Sequence, residues 1–471
     1  MNKNLILATD SYKQSHFKQY PEKMTYMHDY IESRGGAYGY TKFFGLQYYL
    51  KEYLSRPLTI EMLEEAEEIC KLHGVPFNCE DWKYIVEELG YIPVKIRAVP
   101  EGAVIPNHNV LVTVESTDEK VAWITGFVET LILKVWYTVT VTTFSYKIKQ
   151  IIKHFLEKTS DNVESELPFR FHDFGYRGVS SEESAGIGGM AHLTNFKGTD
   201  TLASVLYARK YYNAEMSGFS IPASEHSTMT SWGRENEAKA FENMIDSFEG
   251  PISIVSDSYN YFNAVDYIVG EDLKEKIKNH NGTIIIRPDS GDPCTNVLFA
   301  LESLERNFGA TVNSKGYKVL NNNVRIIQGD GITENIIWDL CKVITENGYS
   351  VENVAFGCGG ALLQGNFNSS INRDTHKFAM KCSAAIIDGK LIDIYKNPIT
   401  DRGKVSKKGI LDLIYEDGKF KTVNIEKDKP HKNSIMNTVF ENGKILKEYT
   451  FEEVRKNEKL FPEPNLIPEI K

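Results

Sequence analysis

Four strand-like runs in the second half of the chain each end in a short polar or glycine-rich segment. They cover residues 252–256, 283–286, 324–328 and 354–356, and they lead into Asp257, 287–291 (Arg-Pro-Asp-Ser-Gly), 329–331 (Gly-Asp-Gly) and 357–360 (Gly-Cys-Gly-Gly). Each of the first three is followed by a segment with helical periodicity. Polar residues therefore recur at the carboxyl ends of parallel strands, where α/β barrels and open α/β sheets have their active sites. This pattern indicates an enzyme.

Three aspartates occupy equivalent positions just after these strands: Asp257, Asp289 and Asp330. Carboxylates that converge on one end of a sheet suit magnesium, sugar hydroxyls or a cationic centre. Any one of them taken alone is more simply explained as an Asx-turn or a helix cap. Three in equivalent positions favour a site.

Two further side chains near these aspartates can do chemistry. His226, in the run 224–228 (Ser-Glu-His-Ser-Thr), is predicted on a strand-to-helix turn before a helix over about 232–248. An imidazole there can act as acid, base or phosphoryl acceptor, or the segment is only a helix start capped by Ser227 or Thr228. Arg287 offers a donor fork to a carbonyl or phosphate, or forms an ion pair with Asp289.

Other segments favour a phosphorylated ligand with a flat ring. The glycine turns 329–331 and 357–360 can present backbone N–H groups to a phosphate, or they are tight turns without a ligand. The run 172–178 places Phe174 and Arg177 where they can stack on a heterocycle and bind its phosphate, although Phe174 is equally explained as a core residue. Asp200 lies at a helix start, where capping is the alternative. A basic segment, Lys396, Arg402, Lys404, Lys407 and Lys408, is either a solvated loop or a pyrophosphate clamp.

The elements that carry these residues predict an α/β fold. Strand starts near 252, 283, 324 and 353 have the spacing of βαβ units, and we favour a closed barrel over an open sheet. Helices are predicted over 260–269, 295–308 and 333–347, the last with Thr333 as N-cap and Gly348 as its end.

The two ends of the chain have a different pattern. A helix over 61–72 that ends at Gly74, strands at 94–99 and 110–114 and a helix over 144–155 show no parallel repeat. Asp-Gly or Asn-Gly pairs at 388–389, 417–418 and 442–443 predict hairpins. We therefore predict a β-rich α+β domain from 1–164 plus 381–471 and a barrel domain over 165–380.

Composition restricts the class of protein. The 471 residues are 41% hydrophobic and 25% charged, which favours two domains, and a net charge of -10 argues against general nucleic-acid binding. The six cysteines, at 70, 79, 294, 341, 358 and 382, lack the spacing of a zinc site or a disulfide framework, so we expect a cytoplasmic protein. The apolar run at the start is too short for a signal peptide, and the apolar stretch 127–141 is interrupted by Glu129 and Lys134, so no membrane span is expected.

Together with 8–13 (Ala-Thr-Asp-Ser-Tyr-Lys) and 406–409 (Ser-Lys-Lys-Gly), these segments resemble the nicotinamide phosphoribosyltransferase family from Leu7 to about Asn457. The resemblance implies the formation of nicotinamide mononucleotide and pyrophosphate from nicotinamide and phosphoribosyl pyrophosphate with Mg²⁺. It also implies ATP hydrolysis coupled through a phosphohistidine. The implied fold is that of a type II phosphoribosyltransferase, an α/β barrel with a β-rich domain, acting as a homodimer with shared active sites.

The same resemblance assigns roles to individual residues. The catalytic residues would be His226 as phosphoryl acceptor, Asp257 to orient it and Asp289 on the ribose. The nicotinamide would be bound by Phe174, by Tyr12 of the other subunit, by Asp200, by Arg287 and by Asp10. The ribose and phosphates would be bound by Arg177, Gly329, Asp330, Gly359, Gly360, Arg34, Arg373, Lys381, Lys396 and Lys404. Mg²⁺ would be held mainly by the pyrophosphate, with Asp257 or Asp289 as candidate protein ligands.

Asp200 bears on the choice of substrate, because a carboxylate accepts from an amide NH₂ group and repels the carboxylate of nicotinate. Two alternatives stay open at this point. One is a nicotinate or quinolinate phosphoribosyltransferase, and the other is a non-catalytic ligand-binding protein on the same fold.

Overall fold

The computed structural model describes residues 3–366, 370–400 and 405–463, which form two compact units. One unit is built from Met1–Thr143, Lys210–Ala214 and Ile371–Pro464, and the other from Phe144–Arg209 and Glu215–Ser370. The main boundaries between the units fall between residues 143 and 144 and between residues 370 and 371. The domain boundaries predicted from the sequence fall between 164 and 165 and between 380 and 381.

A parallel sheet of six strands forms the centre of the second unit. Ile254, Ile286, Ile326 and Val354 lie side by side in register and are at most 1% exposed, as expected for a sheet covered on both faces. The strands predicted at the four polar turns are all confirmed. In spatial order the six are Gly198–Thr199, Phe171–Asp173, Val354–Cys358, Val324–Gln328, Ile284–Arg287 and Ile252–Val255.

The segment 219–223 joins the two edges of this sheet. Gly198 pairs with Phe219 and Ala223 pairs with Ser253, each in a single parallel bridge. The backbone N–H of Thr199 donates to the carbonyl of Phe219 at 3.0 Å, and that of Ser253 donates to Pro222 at 2.9 Å. The sheet therefore closes on itself, and the predicted α/β barrel is confirmed.

Helices alternate with the barrel strands, and their caps follow the sequence. Thr333 accepts from the backbone N–H of Ile336, and Gly348 has a φ of 78°, so both predicted ends of that helix are confirmed. Helical segments of this unit are Val163–Glu166, Leu167–Phe169, Tyr176–Gly178, Glu182–Leu193, Leu202–Tyr212 as far as Arg209, His226–Thr230, Arg234–Asn236, Glu237–Ser247, Tyr261–Asn263, Ala264–Asp272, Lys274–Asn279, Pro293–Phe308, Glu334–Glu346, Val351–Asn353 and Gly360–Leu363. A small hairpin, Ala310–Val312 with Lys318–Leu320, is inserted among them.

Two predicted helices have different limits. The helix predicted over 232–248 is wrong at its start: a separate helix, His226–Thr230, precedes it, and Gly233, with a φ of 79°, breaks the chain before Arg234–Asn236 and Glu237–Ser247. The helix predicted over 144–155 extends over Val135–Thr159. Its first half includes the β-branched run 138–143, which is buried at every position. The run therefore has no separate polar and apolar faces from which a helical period could be recognised.

The first unit contains an antiparallel sheet of seven strands to which both chain ends contribute. Phe378–Ile387 pairs with Met24–Ser33, and Asn437–Glu441 pairs with Val94–Ala98. The sheet order is Lys390–Asp393, Phe378–Ile387, Met24–Ser33, Val110–Ser116, Val94–Ala98, Asn437–Glu441 and Lys444–Ile445, and two further pairs are Tyr40–Lys42 with Val104–Pro106 and Ile410–Glu416 with Lys419–Ile425. The helical segments are Leu5–Leu7, Ser11–Lys18, Leu46–Tyr49, Leu50–Leu54, Ile60–His73, Cys79–Lys83, Tyr84–Leu89, Ile124–Phe127, Glu129–Ile132 and Phe451–Asn457.

The three predicted hairpins are confirmed, and each has a two-residue turn. The residues that flank the turns pair directly, Ile387 with Lys390, Glu416 with Lys419 and Glu441 with Lys444. Both turn residues have a positive φ in every case, which is the conformation that Asp-Gly and Asn-Gly adopt most readily.

The turn at Gly418 gives a test of this conformational requirement. Gly418 has a φ of 74° and open space where a Cβ would lie, so Gly418→Ala changes backbone strain and no packing. We expect it to lower the free energy of unfolding by about 1 kcal/mol in urea denaturation. Gly39→Ala is the matched control, because a Cβ there also meets nothing and φ is not positive. Equal effects of the two substitutions would contradict the strain argument.

Within 3–366, 370–400 and 405–463, no helix combines the length and apolar character needed to cross a membrane. All six cysteines are free thiols.

Candidate active site

The carboxyl ends of the barrel strands surround a cavity of about 580 Å³ in the second unit. Eight residues predicted from the sequence line it: Phe174, Arg177, Asp200, Arg287, Asp289, Gly329, Gly359 and Gly360. Tyr176, Gly178 and Thr201 also line it. None of the three was predicted as a ligand, although Tyr176 and Gly178 lie in the run 172–178 and Thr201 follows Asp200.

Phe174 is held against the wall of the cavity by the glycine turn beside it. Its backbone N–H donates to the carbonyl of Cys358 at 2.9 Å. A Cβ on Gly357 would lie 2.0 Å from the Phe174 ring, so only glycine leaves room for the aromatic side chain. One ring edge also approaches Gly329. Phe174 is therefore a wall of the cavity.

Asp200 and Arg287 present opposite hydrogen-bonding character to the same cavity. The backbone N–H of Asp200 donates to the carbonyl of Asp173 at 2.9 Å, and its carboxylate accepts from the hydroxyl of Ser220 at 2.5 Å. Nη2 of Arg287 donates to the carbonyl of Ser224 at 2.9 Å, whereas its buried Nε has no hydrogen-bond partner among the described residues. Asp200 and Arg287 both line the cavity, so a carboxylate acceptor and a guanidinium donor face a ligand amide there.

His226 lies between two of the predicted aspartates. Its Nε2 is 3.0 Å from Oδ1 of Asp257, and its Nδ1 is 3.9 Å from Oδ2 of Asp289. The imidazole is 45% exposed, whereas the Asp257 side chain is 5% exposed. The ring is therefore anchored on one nitrogen and accessible on the other side.

Asp289 combines burial with several neighbouring charges. Desolvation raises the pKa of its carboxyl, and the charges of Asp257 and Asp330 act in the same direction. The charges of Arg287 and His226 act in the opposite direction and lower the pKa of Asp289. Asp330 is exposed and is not among the residues that line the cavity, so it acts on Asp289 through its charge.

The glycine turns allow the backbone to approach closely at the rim of the cavity. A Cβ on Gly178 would lie 2.5 Å from the Cα of Gly360, so the segment that carries Arg177 packs directly on the turn 359–360. This packing leaves backbone N–H groups and a guanidinium at one side of the cavity, a combination that suits phosphate oxygens.

The remaining predicted ligands lie in the first unit. Asp10 accepts from the hydroxyl of Thr130 at 2.6 Å, and Tyr12 is 60% exposed with Nζ of Lys13 near its ring. Burial lowers the pKa of the Lys381 ammonium; the charge of Glu129 opposes this effect, and the charges of Arg34, Lys396 and Arg373 act with it. These four basic side chains therefore form one positive cluster.

Parts of the basic segment have other partners or lie outside the description. Lys407 forms an ion pair with Glu32, and Nζ of Lys408 is 3.1 Å from Asp393. Arg34 also pairs with Glu32, at 2.8 Å, and Arg373 donates to the carbonyl of Phe378 at 2.9 Å. Arg402 and Lys404 lie outside the described residues.

No group of three or more His, Cys, Asp or Glu side chains within the described ranges has a metal-binding arrangement. The donors near His226 are the two carboxylates of Asp257 and Asp289. This set suits a cation that brings most of its ligands with a phosphorylated substrate.

Comparisons with known proteins give a consistent result. The model of the nicotinate phosphoribosyltransferase (NAPRTase) family matches residues 169–444, and that of the nicotinamide phosphoribosyltransferase N-terminal domain matches 4–96. A nicotinamide phosphoribosyltransferase of Xanthomonas campestris pv. campestris is 50% identical over 96% of this chain and 97% of its own length.

Two solved structures share the fold. Nicotinate-nucleotide pyrophosphorylase from Pyrococcus furiosus has a TM-score of 0.58 at 17% identity, covering 97% of this chain and 95% of its own. Human nicotinic acid phosphoribosyltransferase has a TM-score of 0.54 at 15% identity, covering 96% of this chain and 93% of its own.

Proposed function

This chain belongs to the nicotinamide phosphoribosyltransferase family, and from that premise we propose how its cavity carries out the reaction. The enzyme is a pentosyltransferase of NAD biosynthesis that uses nicotinamide and phosphoribosyl pyrophosphate. The observation that carries the site assignment is the convergence of Phe174, Asp200 and Arg287 on one cavity.

The pyridine ring of nicotinamide stacks on Phe174 in this proposal. Asp200 accepts a hydrogen bond from the carboxamide NH₂ group, and the guanidinium of Arg287, which lines the cavity, donates to the carboxamide oxygen. A cavity with one acceptor and one donor placed this way binds an amide in a single orientation. The ring nitrogen is thereby directed toward the ribose.

The chemical step is a substitution at the anomeric carbon of the ribose. A bond forms between the pyridine nitrogen and that carbon, the bond to the pyrophosphate oxygen breaks, and pyrophosphate leaves with its electron pair. Positive charge develops on the ribose in the transition state, and the carboxylate of Asp289 stabilises it electrostatically. Arg177 and the turns at Gly329, Asp330, Gly359 and Gly360 hold the ribose and 5′-phosphate.

Mg²⁺ is proposed to enter with the pyrophosphate group, whose negative charge it neutralises. The positive cluster of Arg34, Arg373, Lys381 and Lys396 provides pyrophosphate and ATP-phosphate ligands, with Lys404 as a further candidate. Tyr12 completes the nicotinamide site from the other subunit of a homodimer, and Asp10 is a further candidate ligand in that site. A cytoplasmic location stays a prediction from cysteine usage.

ATP coupling is proposed to proceed through His226. Because Nε2 lies at hydrogen-bond distance from Asp257, that nitrogen carries the proton and Nδ1 carries the lone pair. Nδ1 takes the γ-phosphoryl group, ADP leaves, and the phosphohistidine is hydrolysed later in the cycle. Asp257 stabilises the positive charge that the imidazole acquires.

An assay with phosphoribosyl pyrophosphate, Mg²⁺ and either nicotinamide or nicotinate, each with and without ATP, tests the substrate and the coupling together. Turnover of nicotinamide that ATP increases supports both proposals. Turnover of nicotinate alone contradicts the substrate assignment, and nicotinamide turnover that ATP leaves unchanged contradicts the phosphohistidine.

His226→Ala separates the two activities. We expect the stimulation by ATP to disappear while basal transfer to nicotinamide continues, because the substitution removes the phosphoryl acceptor and leaves the cavity lining intact. Steady-state rates with and without ATP give the measurement. His73→Ala, in the exposed last turn of Ile60–His73, is the control. Unchanged stimulation in His226→Ala would refute the role.

A further inference from the structure

The two carboxylate oxygens of Asp257 have different partners. Oδ1 faces Nε2 of His226 at 3.0 Å, and Oδ2 accepts a hydrogen bond from the hydroxyl of Ser290. The Asp257 side chain is nearly buried, so protein groups rather than bulk water determine its orientation. The direction of Oδ1 therefore depends on what holds Oδ2.

Ser290 is presented to Asp257 from a well-defined turn. Asp257 and Ser290 follow the neighbouring strands Ile252–Val255 and Ile284–Arg287. The carbonyl of Ser290 accepts from Nδ2 of Asn296 at 2.7 Å, and Asn296 lies in the first turn of the next helix, Pro293–Phe308. Asp292 caps that helix by accepting from the backbone N–H of Thr295 at 2.8 Å. The helix thus fixes the backbone that carries the Ser290 hydroxyl.

We propose that Ser290 is a positioning residue, whose hydroxyl keeps the Asp257 carboxylate in the rotamer that presents Oδ1 to His226. The inference deepens the proposed role of His226 as phosphoryl acceptor and rests on it. The hydrogen bonds described for Ser290 join it to Asp257 and Asn296. Neither of them involves the imidazole or a residue that lines the cavity.

The consequence concerns the position of one proton on the imidazole. A fixed Oδ1 selects the tautomer with hydrogen on Nε2, and only this tautomer has a lone pair on Nδ1. That lone pair forms the bond to the γ-phosphorus of ATP while the bond from phosphorus to the bridging oxygen of ADP breaks. When the carboxylate is free to rotate, part of the imidazole population carries its proton on Nδ1 and cannot accept the phosphoryl group.

Ser290→Ala tests the inference, with Ser258→Ala as matched control. Ser258 adjoins Asp257, and its buried Oγ has no hydrogen-bond partner within the described residues, so its loss removes an oxygen near the same carboxylate and no hydrogen bond. Ser290 is exposed, so its replacement leaves the packing of the core unchanged. Ser290→Thr retains the hydroxyl.

Two measurements on the full-length protein give the result. Nitrogen-15 NMR of labelled histidine, assigned with His226→Asn, reports the tautomer of His226 without ATP. Radiolabelled γ-phosphate of ATP reports phosphoryl uptake. In Ser290→Ala we expect a mixture of His226 tautomers. We also expect phosphoryl uptake to slow by about tenfold, because the substitution removes one hydrogen bond to a charged group. Ser258→Ala should match the unmodified protein, and Ser290→Thr should recover the Nε2–H tautomer.

An unchanged tautomer in Ser290→Ala overturns the inference, even if phosphoryl uptake slows, because slowing alone would mean that Ser290 acts on the nucleotide. An equal change in Ser258→Ala also overturns it. If the unmodified protein takes up no phosphoryl group, the phosphohistidine proposal fails, and the tautomer comparison still decides whether Ser290 positions Asp257.

Discussion

Asp289→Asn should lower kcat for the formation of nicotinamide mononucleotide by on the order of 10²- to 10³-fold. The carboxylate lines the cavity and lies 3.9 Å from His226, and in the proposed mechanism it is the negative charge nearest the ribose. Asparagine retains the shape and one acceptor oxygen, so the main change is the loss of the negative charge. The initial rate at saturating substrates gives the effect.

The pH dependence gives the same prediction a second readout. Burial raises the pKa of Asp289 above the ordinary aspartate value, so this carboxylate takes up its proton at a higher pH than an exposed aspartate does. Because the ionised form is required, kcat/KM should fall on the acid side at a correspondingly higher pH, and this limb should be absent from the residual activity of Asp289→Asn.

Asp339→Asn, on the exposed side of helix Glu334–Glu346, is the control for loss of one negative charge. An Asp289→Asn enzyme with the rate and acid limb of the unmodified protein would show that the carboxylate has no role in the transition state.

The parts of the fold that were predictable from the sequence are those with local causes. Thr333 and Gly348 mark the ends of a helix because a side-chain cap and a left-handed residue act within one turn of the backbone. The Asp-Gly and Asn-Gly hairpins are local for the same reason. The alternation of strands, polar turns and helices likewise predicts the barrel. It also predicts that the active site lies at the carboxyl ends of the barrel strands.

The helix Val135–Thr159 was predictable only in its second half. The run 138–143 (Thr-Val-Thr-Val-Thr-Thr) has the composition of a strand, and it is helical because tertiary packing buries it on all sides. Two of its hydroxyls hydrogen-bond to backbone carbonyls one turn earlier, Thr140 to Trp136 at 2.6 Å and Thr143 to Val139 at 2.5 Å. These two buried hydroxyls are satisfied within the helix itself, which no periodicity in the sequence reveals.

The contacts within the site depend on residues far apart in the chain. Arg287 donates to the carbonyl of Ser224, 63 positions away, where the sequence alone left an ion pair with Asp289 as an alternative. The Ser290–Asp257–His226 chain of hydrogen bonds joins two barrel strands that are neighbours only in the folded sheet. Residue spacing predicts which edge of the sheet these residues share, and the partner of each side chain follows only from the register.

Asp200→Asn should change the preference between the two pyridine substrates. Asp200 lines the cavity, and its carboxylate is oriented by the hydroxyl of Ser220. The unmodified side chain accepts from the NH₂ group of nicotinamide and repels the carboxylate of nicotinate. The asparagine amide removes the repulsion and can donate to that carboxylate. We expect the ratio of kcat/KM for nicotinamide over nicotinate to fall by on the order of 10²- to 10³-fold.

A second variant distinguishes an effect of the Asp200 charge from a loss of the fixed orientation of its side chain. Ser220→Ala removes the hydroxyl that orients Asp200 and keeps the negative charge, so it should weaken nicotinamide use without improving nicotinate use. Competition between the two pyridines in one reaction gives the ratio directly for each variant. If Asp200→Asn lowers both activities equally, or if Ser220→Ala admits nicotinate as well, selection against the acid does not depend on the charge of Asp200. Arg287 would not supply that selection instead, because its guanidinium attracts a carboxylate and an amide oxygen alike.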